Sequence, residues 1–341
     1  MEEQKLTLTH EGESLSLILR DFRPTDARQV IECIRDEYGD TYLKRGFYDP
    51  AYLVAEHQAG RCRLLVAETK GEAVALLGLK RSLPREKICE WVAANVRHKY
   101  RHFGIISRLN DFATLQTKAM PDVSAVYAVM VTYHAFAQHS LESIGFVPCG
   151  FLPNYLALDR ITHSYGASPN LKQADAIMVR PEKQKEAGRL YLPPEHEAWG
   201  QNLYAELQAG AEIVTVGAKL QGKSIIAAED EGGQANCILW LEHSGEDLGE
   251  QVRQLMARLT DPLQTYNVFL NISEPQAIPA YLLLREMGYF FAGFRPLCGT
   301  REIMVLHHPG ALPTDFDSLV LTPSMEKWRE YVRTCYNKRN K

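Results

Sequence analysis

Between Val96 and Leu109 the chain reads Val-Arg-His-Lys-Tyr-Arg-His-Phe-Gly-Ile-Ile-Ser-Arg-Leu. An apolar run ends there and a basic loop follows over Arg97–Gly104. The spacing of Ile105, Leu109, Phe112 and Leu115 then predicts a helix over 105–118. Loop N–H groups and a helix N-terminus point the same way and carry partial positive charge. Arg97, Lys99 and Arg101 add full charges, and Gly104 lets backbone approach a ligand closely. This is the chemistry of a diphosphate cradle. Charge-assisted hydrogen bonds of this kind contribute about 1.5–3 kcal/mol each, so a few of them would anchor a cofactor. His98 and His102 stand four apart in the same loop, with no helix and no carboxylate motif to make them ligands, so no metal is expected.

A second phosphate-type pattern lies further on. Gly217-Ala218-Lys219-Leu220-Gln221-Gly222-Lys223-Ser224 matches G-x-x-x-x-G-K-[ST]. Such a loop needs a strand before it and a helix after it. Here Ile225–Ala228 and an acidic, glycine-containing stretch follow, too short for a helix before the next strand. The stretch is expected to be a hairpin turn.

The elements that must position the first loop are legible from periodicity. A strand is expected over 15–19, and Pro24 with Thr25 or Asp26 starts a helix whose apolar face is Val30, Ile31 and Ile34. Strands are expected over 63–69 and 73–80, joined at Lys70-Gly71, and over 88–96. Next come the loop and helix, a strand over 123–131, a helix over 135–144 stopped by Gly145, and a strand over 146–158. Small and turn-forming residues at 164–170 mark a boundary. Beyond it, strands are expected over 174–179, 212–216, 224–228, 235–242 and 266–272, with helices over 195–208, 247–259 and 278–287. A tail over 323–337 reads as one amphipathic helix carrying Trp328, Tyr331 and Val332.

The chain says one thing twice. Gly145-Phe146-Val147-Pro148-Cys149-Gly150-Phe151-Leu152-Pro153 returns as Gly288-Tyr289-Phe290-Phe291-Ala292-Gly293-Phe294-Arg295-Pro296, 143 residues later. An internal duplication of this length predicts two domains of one fold. The same offset carries the basic loop onto His243-Ser244-Gly245-Glu246-Asp247, which has no arginine and two acids at its helix start. Those acids suit a helix dipole but repel a diphosphate. The second copy is expected to have lost its cofactor site.

Composition sets the bounds. The chain has 341 residues, 45% hydrophobic and 23% charged, enough for two ordinary cores. A net charge of −4 argues against nucleic acid as a partner. Seven scattered cysteines have no paired spacing, which suits reduced thiols in a cytoplasm. The opening residues are polar and acidic, unlike a signal peptide, and no apolar run is long enough to span a membrane.

With these residues in view, the chain resembles the GNAT N-acetyltransferases. Their hallmark is a strand, then Arg/Gln-x-x-Gly-x-Gly/Ala, then a helix, which stands here as Arg101-His102-Phe103-Gly104-Ile105-Ile106. The opening Leu-Arg-Asp-Phe-Arg-Pro-Thr-Asp-Ala and the helix ending Leu141–Phe146 agree. The resemblance implies an α/β (α+β) fold, two tandem GNAT-like domains, each a mixed, mostly antiparallel sheet with helices on both faces. Residues 1–165 would form the acyl-CoA-binding domain, 172–310 a degenerate copy and 311–341 a tail. The cofactor would be acetyl-CoA or another acyl-CoA, with Arg101, His102, Phe103, Gly104, Ile105, Ile106 and Ser107 on its pyrophosphate and backbone at Ala94, Asn95 and Val96 on its pantetheine arm.

The same resemblance implies roles for further residues. Glu90 stands where members often carry a catalytic base, and His134 would be a relay or supporting group at the end of the next strand. Tyr38 and Tyr42, with Tyr48 and Tyr52, would border the acceptor. The implied reaction is direct transfer of an acyl group to a small-molecule or peptide amine in a ternary complex, without nucleic acid, metal or membrane. Three departures stand out. Ile106 replaces a small residue, Leu141 replaces a tyrosine that reprotonates the departing thiolate, and His134 replaces an asparagine. A non-catalytic acyl-CoA-binding module and a nucleotide-binding protein built on Gly217–Ser224 stay open as alternatives.

Overall fold

A computed structural model describes residues 3–81, 87–157, 172–184, 186–298 and 301–339. Contacts divide them into two compact units, one of residues up to Ala128 and one from Val129 onward. The boundary expected at 164–170 lies outside the described residues.

In the first unit β1 (Gln4–His10), β2 (Glu13–Asp21), β3 (Cys62–Thr69), β4 (Glu72–Arg81) and β5 (Ile88–Val96) pair antiparallel in chain order. The start of β6 (Ala125–Val131) pairs parallel to β5. The polar opening thus holds an edge strand. Leu6, Leu8 and His10 are half-buried while their neighbours face water, so its apolar content is low. Lys70 and Gly71 form the expected hairpin turn with φ of 50° and 80°.

Helix α1 (Ala27–Tyr38) buries Val30, Ile31, Cys33 and Ile34, and α2 (Pro50–Gln58) buries Leu53. They join one cluster with Cys62, Leu64, Val66 and Val92 of the sheet. Arg63, which alternates with those β3 residues, reaches Gln116 of α3 (Ile105–Lys118) at 3.1 Å. Alternation therefore sends α1 with α2 to one face and α3 to the other.

The second unit opens with α4 (Phe136–Glu142) and β7 (Val147–Ala157), followed by β8 (Lys172–Pro181). A parallel pair, β9 (Gly188–Tyr191) and β10 (Ala211–Val214), flanks α5 (Glu197–Glu206). Then come β11 (Ile225–Glu231), β12 (Asn236–His243), α6 (Leu248–Ala257), β13 (Thr265–Asn271), α7 (Ala277–Glu286), β14 (Phe290–Cys298), β15 (Arg301–His308) and α8 (Pro323–Lys338). The main sheet of this unit runs β8-β7-β14-β15-β13-β12-β11, antiparallel except at β12 and β13.

Strand β8 was expected to open the second copy. It pairs instead with β7, as β15 pairs with β14. A strand buried on both faces reads as a continuous apolar run, and periodicity does not say which neighbour it joins. Gly217–Ser224 is likewise no hairpin turn, because β10 and β11 belong to different sheets.

The duplicated motif pairs with itself. Gly150 of β7 lies opposite Gly293 of β14, at equivalent points of the two copies. Their φ values are 134° and 156°. A Cβ on Gly293 would sit 2.5 Å from the Cys149 carbonyl oxygen, and one on Gly150 would overlap the Ala292 carbonyl. Equivalent irregularities follow: Asn154 has φ 48° and Leu297 has φ 62°.

Helix α8 closes the sheet's β7 and β14 side, with Met325, Trp328 and Val332 buried. Its cap is Thr322, whose hydroxyl also donates to Glu142 at 2.6 Å. Buried His196 bonds the hydroxyls of Tyr331 at 2.8 Å and Tyr281 at 2.9 Å and stacks on Phe291.

Two tests follow from this packing. Gly293→Ala should cost about 2–4 kcal/mol by overpacking and strain, whereas Gly12→Ala, at φ 87° with open space around it, should cost only about 1 kcal/mol. Urea midpoints of the two variants check this ordering. For His196, burial, reinforced by Arg285, lowers the imidazole to about 3. The unfolded state therefore binds the extra proton between pH 6.5 and 3, and stability falls with acid across that window by up to about 1.4 kcal/mol per pH unit. Unfolding midpoints against pH should show this slope flatten in His196→Phe.

Candidate functional site

The strand that leads into the basic loop is irregular where it matters. Pairing of β5 with β6 runs from Ile88–Ala125 to Trp91–Ala128, and Val92–Val96 extend past the last pair. On its β4 side the register shifts between Leu76–Asn95 and Gly78–Val92. Ala93 absorbs the extra residue with φ 53°. A bulge of this kind re-aims backbone groups. Ala94 comes out exposed while Asn95 and Val96 stay buried.

The loop itself is a tight 3-10 turn, His98–Phe103, closed by Gly104 in the left-handed region at φ 71°. Helix α3 begins at Ile105 and no side chain caps it. Its first amides, on Ile105, Ile106 and Ser107, are the orphan donors a helix start leaves. Ile105 is buried in the core, Ile106 is half-buried and Ser107 is exposed. His102 and Phe103 stack beside His10 of β1, with His10 and His102 centroids 4.9 Å apart.

The cations of the loop are already engaged. Arg97 pairs with Glu72, and Lys99 and Tyr100 reach the same carboxylate at 3.4 Å. Arg101 pairs with Glu37 of α1 and donates from Nε to the Val96 carbonyl at 3.1 Å. His98 takes Asp36 through its backbone N–H at 2.8 Å and Glu37 through its ring at 3.4 Å. Two carboxylates, Glu72 and Glu37, thus face three cations, and Asp36 takes a backbone N–H. No spacing in the chain signals this, because Asp36, Glu37 and Glu72 read as ordinary surface acids of a helix and a hairpin. What the loop offers a diphosphate is its amides, with side chains held ready behind them.

Glu90 lies on β5 ahead of the bulge, three-quarters shielded. Lys44 Nζ donates to its Oε1 at 3.1 Å, and Lys80, opposite on β4, stands 4.0 Å from Oε2. Tyr38, Tyr42 and Tyr48 pack on the α1 and α2 cluster with Ala93. Tyr38 and Tyr42 rings lie 5.1 Å apart, and the Tyr48 hydroxyl ties the Tyr42 amide to the Gly39 carbonyl. Burial pushes the Tyr42 hydroxyl well above its ordinary value, and Glu90 adds to the effect. Glu90, Tyr42 and the bulge are therefore neighbours. Lys44 was missed, since a lysine in an irregular segment carries no pattern.

His134 belongs to the other unit. It follows β6 in a turn, its ring edge-to-face with Tyr133 at 5.0 Å and tilted against Phe136 at 5.3 Å, while Gln138 donates to its carbonyl at 3.2 Å. Leu141 is a buried core residue of α4.

The second copy is built differently at the matching place. Helices α3 and α6 both start on the 143-residue offset, but the loop before α6 spans 244–247 against 97–104 in the first copy. Strands β12 and β13 stay paired from Asn236–Thr265 to Leu241–Leu270. Gly222 and Ser224 then occupy the loop's amides. Gly245 N–H donates to Ser224 Oγ at 2.9 Å and Glu246 N–H to the Gly222 carbonyl at 3.0 Å. Asp247 in turn accepts from Ser224 N–H at 2.7 Å, a bond that lowers the carboxyl's pKa. A Cβ on Gly245 would meet Gly222–Ser224 backbone at 2.5 Å. The phosphate-loop lookalike is a strap laid over the loop at 244–247.

No protein-family model and no curated protein matches the chain. Solved structures do. A chimera of the Vibrio cholerae spermidine N-acetyltransferase SpeG and hSSAT aligns at 16% identity over 49% of this chain and 96% of its own, with TM-score 0.39. An N-acetyltransferase from Staphylococcus aureus aligns at 15% identity over 49% and 99%, with TM-score 0.40. The ribosomal-protein-S18-alanine N-acetyltransferase from Escherichia coli aligns at 14% identity over 49% and 95%, with TM-score 0.39.

Removing the Glu72 charge tests the cradle. Glu72→Gln frees Arg97 and Lys99, so CoA should bind about three- to tenfold more tightly at low salt and with a steeper salt dependence. Titration calorimetry at two ionic strengths measures both; an unchanged affinity would show that these cations do not reach the ligand.

Proposed function

We propose that the chain is a GNAT-type N-acyltransferase that takes acetyl-CoA, or another acyl-CoA, on its first unit and acylates a small-molecule or peptide amine. In this reading residues 1–165 and 172–310 are two copies of one fold, and the second keeps no cofactor site. The observation that carries it is the bulge at Ala93 on the part of β5 beyond its last β6 pair, leading directly to an uncapped helix start at Gly104.

The residues present fit such a ligand. Amides of Ile105, Ile106 and Ser107 would take its diphosphate, with Arg101, His102, Phe103 and Gly104 shaping the turn. Backbone at Ala94–Val96 would take the pantetheine arm. When bound, the cofactor supplies the acyl thioester. The chain's own work is to align the amine, to take its proton at Glu90 and to present backbone N–H groups of β5 to the developing oxyanion. An amine near pKa 10.4 is almost wholly protonated at neutral pH, so a base is needed. Tyr38 and Tyr42 would border the acceptor.

A second reading, an acyl-CoA-binding module without turnover, is favoured by Leu141, which fills core where a thiolate-protonating tyrosine is usual. The nucleotide reading loses its support, because strand β11 and not a helix follows Ser224. Free-thiol release from acetyl-CoA over a panel of amines separates the two that remain. Turnover is expected, and Glu90→Gln should cut kcat/KM about 10²–10⁴-fold and remove the acidic limb of its pH profile. CoA binding without turnover on any amine would favour the module, and no CoA binding would end both.

A further inference from the structure

The acceptor side of the first unit already contains an amine. We propose that Lys44 is itself an acyl acceptor, modified in cis with Glu90 as its base; this rests on the acyl-CoA reading of the first unit. The geometry of that pair is the one an acceptor needs. Lys44 Nζ donates to Glu90 Oε1 at 3.1 Å, and its side chain is one-third exposed. The carboxylate stands on β5 one residue before the last β6 pair and three before the Ala93 bulge. Tyr42, two residues from Lys44, feels both Glu90 and the Ala93 amide.

Lys80 supplies the internal comparison. It approaches the same carboxylate only to 4.0 Å and is more exposed than Lys44. Both ammonium groups act on Cys62, which fixes them at one end of the same strands. Of these two lysines, Lys44 is the one within hydrogen-bond distance of Glu90.

The step balances without another reagent. One Nζ proton passes to Glu90, and the C–N bond forms as the thioester C–S bond breaks. A second Nζ proton goes to the leaving sulfur, giving free CoA thiol, and Glu90 returns its proton to water. The product is an amide on Lys44 and one fewer cation beside Glu90. Charge at the acceptor mouth then changes, so acceptor preference would change with it.

The test uses the full chain, acetyl-CoA and peptide mapping by mass spectrometry. Lys44 should gain one acetyl group with a rate independent of protein concentration, ahead of Lys80 and exposed Lys99. Glu90→Gln should slow it about tenfold or more, and Lys44→Arg should abolish the label without moving it to Lys80. Acetic anhydride, which has no coenzyme handle, should give the opposite order, because Lys44 is shielded and hydrogen-bonded while Lys99 is exposed. Acetyl-CoA labelling of Lys44 no faster than of Lys99, or undiminished in Glu90→Gln, overturns the proposal. Calorimetry separates the two levels: CoA binding with Lys44 left bare sinks this site alone, whereas absence of binding sinks the acyl-CoA reading beneath it.

Discussion

Two strands, one from each copy of a repeated motif, approach so closely at Gly150 and Gly293 that neither position has room for a Cβ. Backbone contact at that distance is available only to glycine, and both residues also need a φ that other residues resist. The sheet of the second unit grows outward from this line: β8 on β7, β15 on β14, then β13, β12 and β11. What reads in the sequence as a duplicated phrase is, in space, the place where the copies touch. The pattern repeats because the two sides of one contact meet the same steric demand.

The first unit illustrates how a candidate site is assembled from small departures. Regular antiparallel pairing would present β5 as an unbroken edge. One extra residue at Ala93 breaks that regularity, and Gly104 in the left-handed region turns the chain into α3. Around this backbone the charges are balanced: Arg97 and Lys99 against Glu72, Arg101 against Glu37. Such pairs order side chains more than they stabilise the fold, since partly exposed ion pairs contribute little net energy. Their value lies in holding the loop's shape.

Much of this was legible beforehand, and the reasons differ by element. Helices α1, α3 and α8 announced themselves by apolar spacing, and the Lys70-Gly71 turn by its residue types. The basic loop was visible because its chemistry is local. Strand β1 escaped because an edge strand needs few apolar residues, and β8 because buried strands do not record their partners. The neutralising acids Glu37 and Glu72, and the lysine on Glu90, join the site through tertiary contacts that no spacing rule encodes. Gly217–Ser224, read as no phosphate loop, differed only in its expected hairpin geometry. Gly222 lies close to Gly245 and Gly217 packs against Pro275 and Ile278, uses that share residue types with a phosphate loop but not its helix.

The anchoring of α8 has a bearing on how the polypeptide is made. Glu142 and Gln138 of α4 take their partners from Val320–Ser324, and Asn154 of β7 takes its partners from Pro313 and Thr314. Residues 138–154 must therefore wait for residues 313–324 to be made before these hydrogen bonds can form. Synthesis thus holds this part of the second unit open until residues 313–324 have emerged.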